Sequence, residues 1–121
     1  MYRNWANDPA VTRFLRWEPH KDENETFVLL TAWEELYQNP DYYQWCMVDK
    51  ATGEVFGSIS ICNGLAGEPE AAATWRRLGF DISQGEWEPG YCIGRAWWGK
   101  GYTTEALNAV VDYWFTRTDS T

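Results

Sequence analysis

The sequence predicts a mixed α+β domain, with helices packed on a mainly antiparallel sheet. Three observations lead there. Segments near both ends repeat apolar residues at three- and four-residue spacing, the period of a helix with one buried face. Two neighbouring runs rich in strand formers are joined by a short polar turn containing Gly53. A third strand-like run then leads through a glycine-containing turn into the last helix. The 121 residues make one domain, 1–121, with a core large enough to fold without disulfide staples.

The first helix starts after Asp8, an N-cap residue, with Pro9 at the first helical position and Val11, Phe14 and Leu15 on its apolar face. Trp17-Glu18-Pro19-His20 interrupts it. A longer helix is expected over residues 23–38, where Phe27, Leu30, Trp33 and Tyr37 share one face and Asn39-Pro40-Asp41 stops it. Strands are expected over 43–48 and 55–62, with residues 49–54 as a hairpin turn. In the second, Val55, Gly57, Ile59 and Ile61 alternate with Phe56, Ser58, Ser60 and Cys62. Residues 64–87 read as an insertion between strands, within which 68–78 form a short helix closed by Gly79. A strand over 88–94 and a helix over 102–116 complete the chain; Ala106, Leu107, Val110, Val111 and Trp114 are the buried stripe of that helix.

Ten Lys and Arg against 18 Asp and Glu give a net charge of −8, which argues against nucleic acid or an anionic membrane as partner. No apolar run approaches the roughly 18 residues of a membrane span, and the first ten residues lack the apolar core of a signal peptide. Cys46, Cys62 and Cys92 are odd in number, with no Cys-x-x-Cys spacing and no histidine cluster. They read as reduced, mostly buried thiols of a cytoplasmic protein, not as a disulfide framework or a metal site. Nine Trp and an aromatic content of 17% point to an aromatic-rich core or an aromatic-lined pocket.

The chemical signal lies at the strand–turn–helix junction. Gly99 and Gly101 leave the backbone open, so that N–H groups converge on an anion; the next helix aims its N-terminal N–H groups and dipole at the same point. Thr103 and Thr104 add hydroxyls. A Walker A loop is excluded because Gly101 stands where Ser or Thr must hold Mg²⁺ and two Trp fill the phosphate cradle. A dinucleotide fingerprint is excluded because its third glycine and downstream acid are missing.

The segment EPGYCIGRAWWGKGYTTEAL (88–107) resembles the acetyl-CoA-binding segment of the GNAT N-acetyltransferases, above all their RimJ/RimL-like branch. NWANDPAVTRFLRWEPH (4–20) resembles that branch's first-helix segment, and YYQWCMVDKATGEVFGSISI (42–61) its second and third strands. The resemblance implies the acyl-CoA N-acyltransferase-like fold, incomplete here: truncated at both ends, without the family's first strand and without the later strands and helix that bring the far cleft wall and a tyrosine general acid. AAATWRRLGF (71–80) resembles that later helix but stands out of order, and coincidence is the better reading.

Carried over residue by residue, the resemblance gives Trp98, Gly99, Lys100, Gly101, Tyr102, Thr103 and Thr104 to the CoA pyrophosphate. It gives backbone groups near Cys92 and Ile93 to the pantetheine amides, and Glu88 to general-base catalysis. Trp17 and His20 are the acceptor-side candidates, though each is also a plausible packing or loop residue. Glu34-Glu35 and Arg76-Arg77 read as solvated charges. The implied reaction moves an acetyl group from acetyl-CoA, as co-substrate, to a primary amine such as a small amine or a basic protein N-terminus. The alternative is a non-catalytic module that binds CoA or a protein partner. An exposed strand edge at 91–94 predicts a homo-oligomer.

Overall fold

The computed structural model describes residues 1–13, 15, 17–40, 42–63, 69–79 and 87–117. Phe14, assigned above to the first helix, and much of the 64–87 insertion lie outside them. In chain order the elements are α1 (Pro9–Thr12), α2 (Glu23–Leu36), β1 (Tyr42–Val48), β2 (Val55–Asn63), α3 (Pro69–Arg77), β3 (Trp87–Ile93) and α4 (Tyr102–Arg117). The sequence did not announce the five-residue π-helical turn at Tyr2–Ala6. That stretch has no apolar period of its own; burial of Trp5 and Ala6 holds it. The predicted α+β class holds.

The caps act as their chemistry requires. The Asp8 carboxylate accepts from the Ala10 N–H at 2.9 Å, and Asp22 accepts from the Glu25 N–H at 2.9 Å. Gly79, at φ +87°, stands just beyond α3.

The three strands form an antiparallel sheet in the order β1-β2-β3. Register fixes its two faces, because directly opposed residues point the same way. Tyr43, Trp45 and Met47 stand opposite Ile61, Ile59 and Gly57, which in turn face Pro89, Tyr91 and Ile93. This apolar face receives α4: Met47, Phe56, Ile59, Ile61, Val110 and Trp114 make the buried core. Aromatic rings dominate it, with Trp114 5.1 Å from Tyr43 and 4.5 Å from Trp87. Of the stripe expected on α4, Val110 and Trp114 are buried and Ala106 and Leu107 pack beside them. Val111 is 38% exposed, a correction to that stripe: it sits one residue past Val110 and is turned about 100° from it.

The other face carries Tyr42, Gln44, Cys46, Ser58, Ser60, Cys62, Glu88 and Cys92. At the Cys92 end it is covered by the cluster of Trp5, Ala6 and Val11, with Leu15 and Trp17 packed around it. Helix α2 departs from expectation. Phe27 is 69% and Tyr37 58% exposed, and Thr26 is the buried residue of the helix. The reason is the polar sheet face below. The helix is held mainly at its ends, through Thr26 to His20 and through the Tyr37 hydroxyl to the Gln44 carbonyl at 2.8 Å, instead of packing along its length.

Gly57 has no room for a side chain. A Cβ there would lie 2.5 Å from the Cys92 carbonyl oxygen, 2.7 Å from the Met47 methyl and 2.9 Å from Ile93 Cγ2. Gly57→Ala is therefore expected to destabilise the chain by about 1–3 kcal/mol, lowering the thermal midpoint by several degrees in a circular-dichroism melt. An unchanged midpoint would contradict this register.

Candidate functional site

The site grows from the end of β3. The Gly94 N–H donates to the Phe56 carbonyl at 2.8 Å, extending the ladder by one bond. A side chain on Gly94 would overlap the Asn4 carbonyl oxygen, so glycine lets the N-terminal turn close over this corner. A single 3₁₀ turn, Arg95–Trp97, follows. It is pinned twice: Arg95 Nε meets the Asp8 carboxylate at 3.0 Å, and the Trp97 ring stacks on Phe56 at 5.5 Å. Tyr102, at the head of α4, lies 5.3 Å from the same Phe56 ring. Core packing thereby holds both ends of the intervening loop.

Within that loop Gly99 and Gly101 adopt φ +71° and +80°, the left-handed region that favours glycine. A Cβ at either would meet nothing within 4 Å. The space over both glycines is therefore open to an incoming molecule. The first α4 ladder bond runs from the Glu105 N–H to the Gly101 carbonyl at 3.1 Å. The N–H groups of Tyr102, Thr103 and Thr104 thus have no intrahelical acceptor and sit at the positive end of a 16-residue helix. Lys100 is exposed between the glycines. The arrangement suits a phosphate-bearing ligand.

Among the described residues no strand pairs with the outer edge of β3, which ends the sheet. Antiparallel pairing alternates. With Gly94 bonded to Phe56, Cys92 pairs with Ser58, and its N–H and C=O turn inward. Those of Ile93 and Tyr91 turn off the free edge. At the two positions expected to offer backbone near a pantetheine, the ladder engages the groups of Cys92, while those of Ile93 turn away from β2. The Trp98 indole N–H donates to the Ile93 carbonyl at 3.1 Å, folding that ring over the edge.

Glu88 is exposed on the polar face. Register places it opposite Cys62, which stands opposite Tyr42, so three titratable side chains line up across the sheet. Burial pushes the Tyr42 hydroxyl up to about 12, with Cys62 and Tyr37 adding to the shift. Burial also raises the Cys62 thiol; the Ser60 hydrogen bond opposes this and the Glu88 charge adds to it. Neither Tyr42 nor Cys62 is singled out by the sequence.

His20 is engaged in structure. Its Nδ1 lies 2.6 Å from the Thr26 hydroxyl, its backbone N–H donates to the Ala6 carbonyl at 2.7 Å, and its ring is 4.8 Å from Trp17. Trp17 and Cys92 border the same Trp5-centred cluster, so the acceptor-side candidates lie on the sheet face that carries Glu88. Trp17 also lines a surface cleft of about 350 Å³ with Pro9, Thr12 and Arg13.

The three cysteines are free, as expected, but not mostly buried. Cys46 is exposed and Cys62 and Cys92 are half-buried, because the face they occupy is only partly covered. Burial raises Cys92 from 9.0 to about 11, which disqualifies it as a thiolate nucleophile near neutrality. Iodoacetamide should label Cys46 first at pH 8, with Cys92 reacting only as the pH climbs toward 11. Equal rates at pH 8, followed by peptide mass spectrometry, would contradict that placement. A raised thiol also means that stability is lost between about pH 9 and 11, where the unfolded chain releases its proton and the folded one does not. Among the described residues no group of acids, histidines and cysteines could hold a metal ion, and no helix is long and apolar enough to cross a membrane.

Comparison with known proteins completes the picture. The model of the acetyltransferase (GNAT) domain matches residues 1–120. The chain is also similar to the uncharacterized N-acetyltransferase p20 of Bacillus licheniformis, 28% identical over 112 residues, which covers 93% of this chain and 53% of that protein. The chain therefore spans about half the length of that curated relative.

Proposed function

Because the chain belongs to the GNAT acetyltransferase family, we propose that it works as an acyl-CoA-dependent N-acetyltransferase, carrying an acetyl group from acetyl-CoA to a primary amine. One observation supports this above the others. The open turn of Gly99 and Gly101 delivers the bare N-terminus of α4 to the same end of the sheet as the outward backbone of Ile93. A pyrophosphate fits the first and an amide-bearing arm fits the second.

In this reading Lys100, Thr103, Thr104 and the N–H groups of 102–104 hold the pyrophosphate, and Trp98 and Tyr102 border it. The N–H of Ile93 or Tyr91 on the free edge faces the acyl carbonyl and stabilises the oxyanion that forms there. Glu88 takes the ammonium proton, directly or through one water, so that a neutral amine is available. The amine nitrogen then bonds to the acetyl carbon as the carbon–sulfur bond breaks, and the CoA sulfur leaves with a proton. Trp17 and the Trp5 cluster border the acceptor side, with His20 behind Trp17 as a positioning group. A net charge of −8 favours a cationic acceptor, such as a small amine or the N-terminus of a basic protein. We place the reaction in the cytoplasm; pairing of the β3 edge with a second copy would compete with acyl-CoA for the same backbone groups.

The test is thiol release from acetyl-CoA in the presence of small amines and of basic peptides with free or blocked N-termini. Release that depends on a free amine supports the reading; a rate equal to uncatalysed hydrolysis with every acceptor contradicts it.

A further inference from the structure

One carboxylate joins the turn that leads into Gly99 and Gly101 to the first helix. Asp8 Oδ1 accepts from the Ala10 N–H at 2.9 Å, and Asp8 Oδ2 accepts from Arg95 Nε at 3.0 Å. The first bond caps α1, whose Pro9 and Thr12 border the cleft beside Trp17. The second holds the 3₁₀ turn Arg95–Trp97, which runs directly into Trp98 and Gly99. The Asp8 backbone is fixed in turn. Its N–H donates to the Trp5 carbonyl at 3.1 Å, and its carbonyl accepts from the Val11 and Thr12 N–H groups at 3.1 and 3.0 Å. Upstream, Asn4 Nδ2 donates to the Val55 carbonyl at 2.7 Å, which ties the same segment to the start of β2. The Asp8 side chain is 15% exposed and that of Arg95 63%, so Asp8 is the anchor and Arg95 the arm. A cap needs one oxygen and no charge; the second oxygen and the charge serve Arg95.

We infer that Asp8 is a positioning residue for the acyl-CoA turn, acting through Arg95; the inference rests on the transferase reading above. Residues 98–101 include two glycines, so this loop has conformational freedom to lose when a ligand orders it. The ion pair holds the entrance of the loop at Arg95, as the Tyr102–Phe56 contact holds its exit. Part of the ordering is therefore complete before the ligand arrives. Water and salt screen a guanidinium this exposed, so the contribution is modest. It falls on ligand affinity more than on the fold, because the Trp97 ring stays stacked on Phe56 when the pair is broken.

The test compares Asp8→Asn, Arg95→Gln and the double variant, with acetyl-CoA binding read by calorimetry and thermal midpoints by circular dichroism. Asparagine caps a helix as well as aspartate does, so Asp8→Asn keeps α1 and removes only the charge that Arg95 meets. Each single variant should bind acetyl-CoA about two- to five-fold more weakly. The double variant should lose no more than either, as befits one shared interaction. Midpoints should stay within about 3 °C of the parent. In turnover, the KM for acetyl-CoA should rise by the same factor with kcat unchanged, a split that general loosening of the fold would not give. Single variants that bind like the parent, losses that multiply in the double variant, or a lowered midpoint with unchanged affinity would each overturn the proposal. Should Asp8→Asn disturb α1, the exposed Arg95→Gln carries the decision. A parent chain that binds no acetyl-CoA would overturn the transferase reading along with this one. A parent that binds, matched by its variants, would overturn this one alone.

Discussion

Gly101→Val should cut acetyl-CoA affinity by about a hundred-fold or more while leaving the fold intact. Two causes act together. At φ +80° a β-branched residue is strained, at a cost of about 1–3 kcal/mol, and relief of that strain rotates the loop away from the α4 N-terminus. A side chain there also projects into the open space through which an anion must approach. Because an added Cβ meets nothing within 4 Å, overpacking is not the cause of any loss. Gly53→Val is the matched control: Gly53 also sits at a positive φ, +72°, with nothing within 4 Å, but in the β1–β2 hairpin. It should carry a similar strain and bind acetyl-CoA normally. Equal affinity in both variants would remove the glycine turn from ligand binding.

Glu88→Gln should lower turnover by about 10²-fold or more, the usual contribution of a positioned general base, with acetyl-CoA affinity within about two-fold. The loss should be largest below the pKa of the acceptor amine, where a proton must be removed before attack, and should shrink as the pH rises above it. The same variant reports on its own geometry. Glu88 adds to the upward shift of the Cys62 thiol, so removing its charge should lower that pKa and speed Cys62 alkylation at fixed pH. Faster alkylation with unaltered turnover would confirm the register and dismiss Glu88 from the chemistry.

Where one local rule governs, the sequence was enough. Asp8 and Pro9 opened α1, Gly79 followed α3, and the strand runs at 43–48 and 55–62 became β1 and β2 with a one-residue extension at each outer end. The open glycines before α4 were readable for the same reason, since φ above zero is a single-residue property. Helix α2 was readable as a helix but not in its packing. Periodicity reports that Phe27, Leu30 and Tyr37 share a face, and it is silent on the Gln44, Cys46 and Ser58 face beneath. The Tyr42–Cys62 pairing follows from a hairpin centred near 52, but Cys62 opposite Glu88 spans the whole insertion and depends on a tertiary register. Cys92 illustrates the same limit: whether its backbone faces inward or outward changes with a one-residue shift of the ladder, which no composition or spacing fixes.

The most direct test of the central claim is a calorimetric titration of the 121-residue chain with acetyl-CoA, run beside Gly101→Val and Gly53→Val. The account predicts saturable one-to-one binding to the parent and to Gly53→Val, and its loss in Gly101→Val. No saturable heat with the parent, or the same affinity in all three, would contradict it.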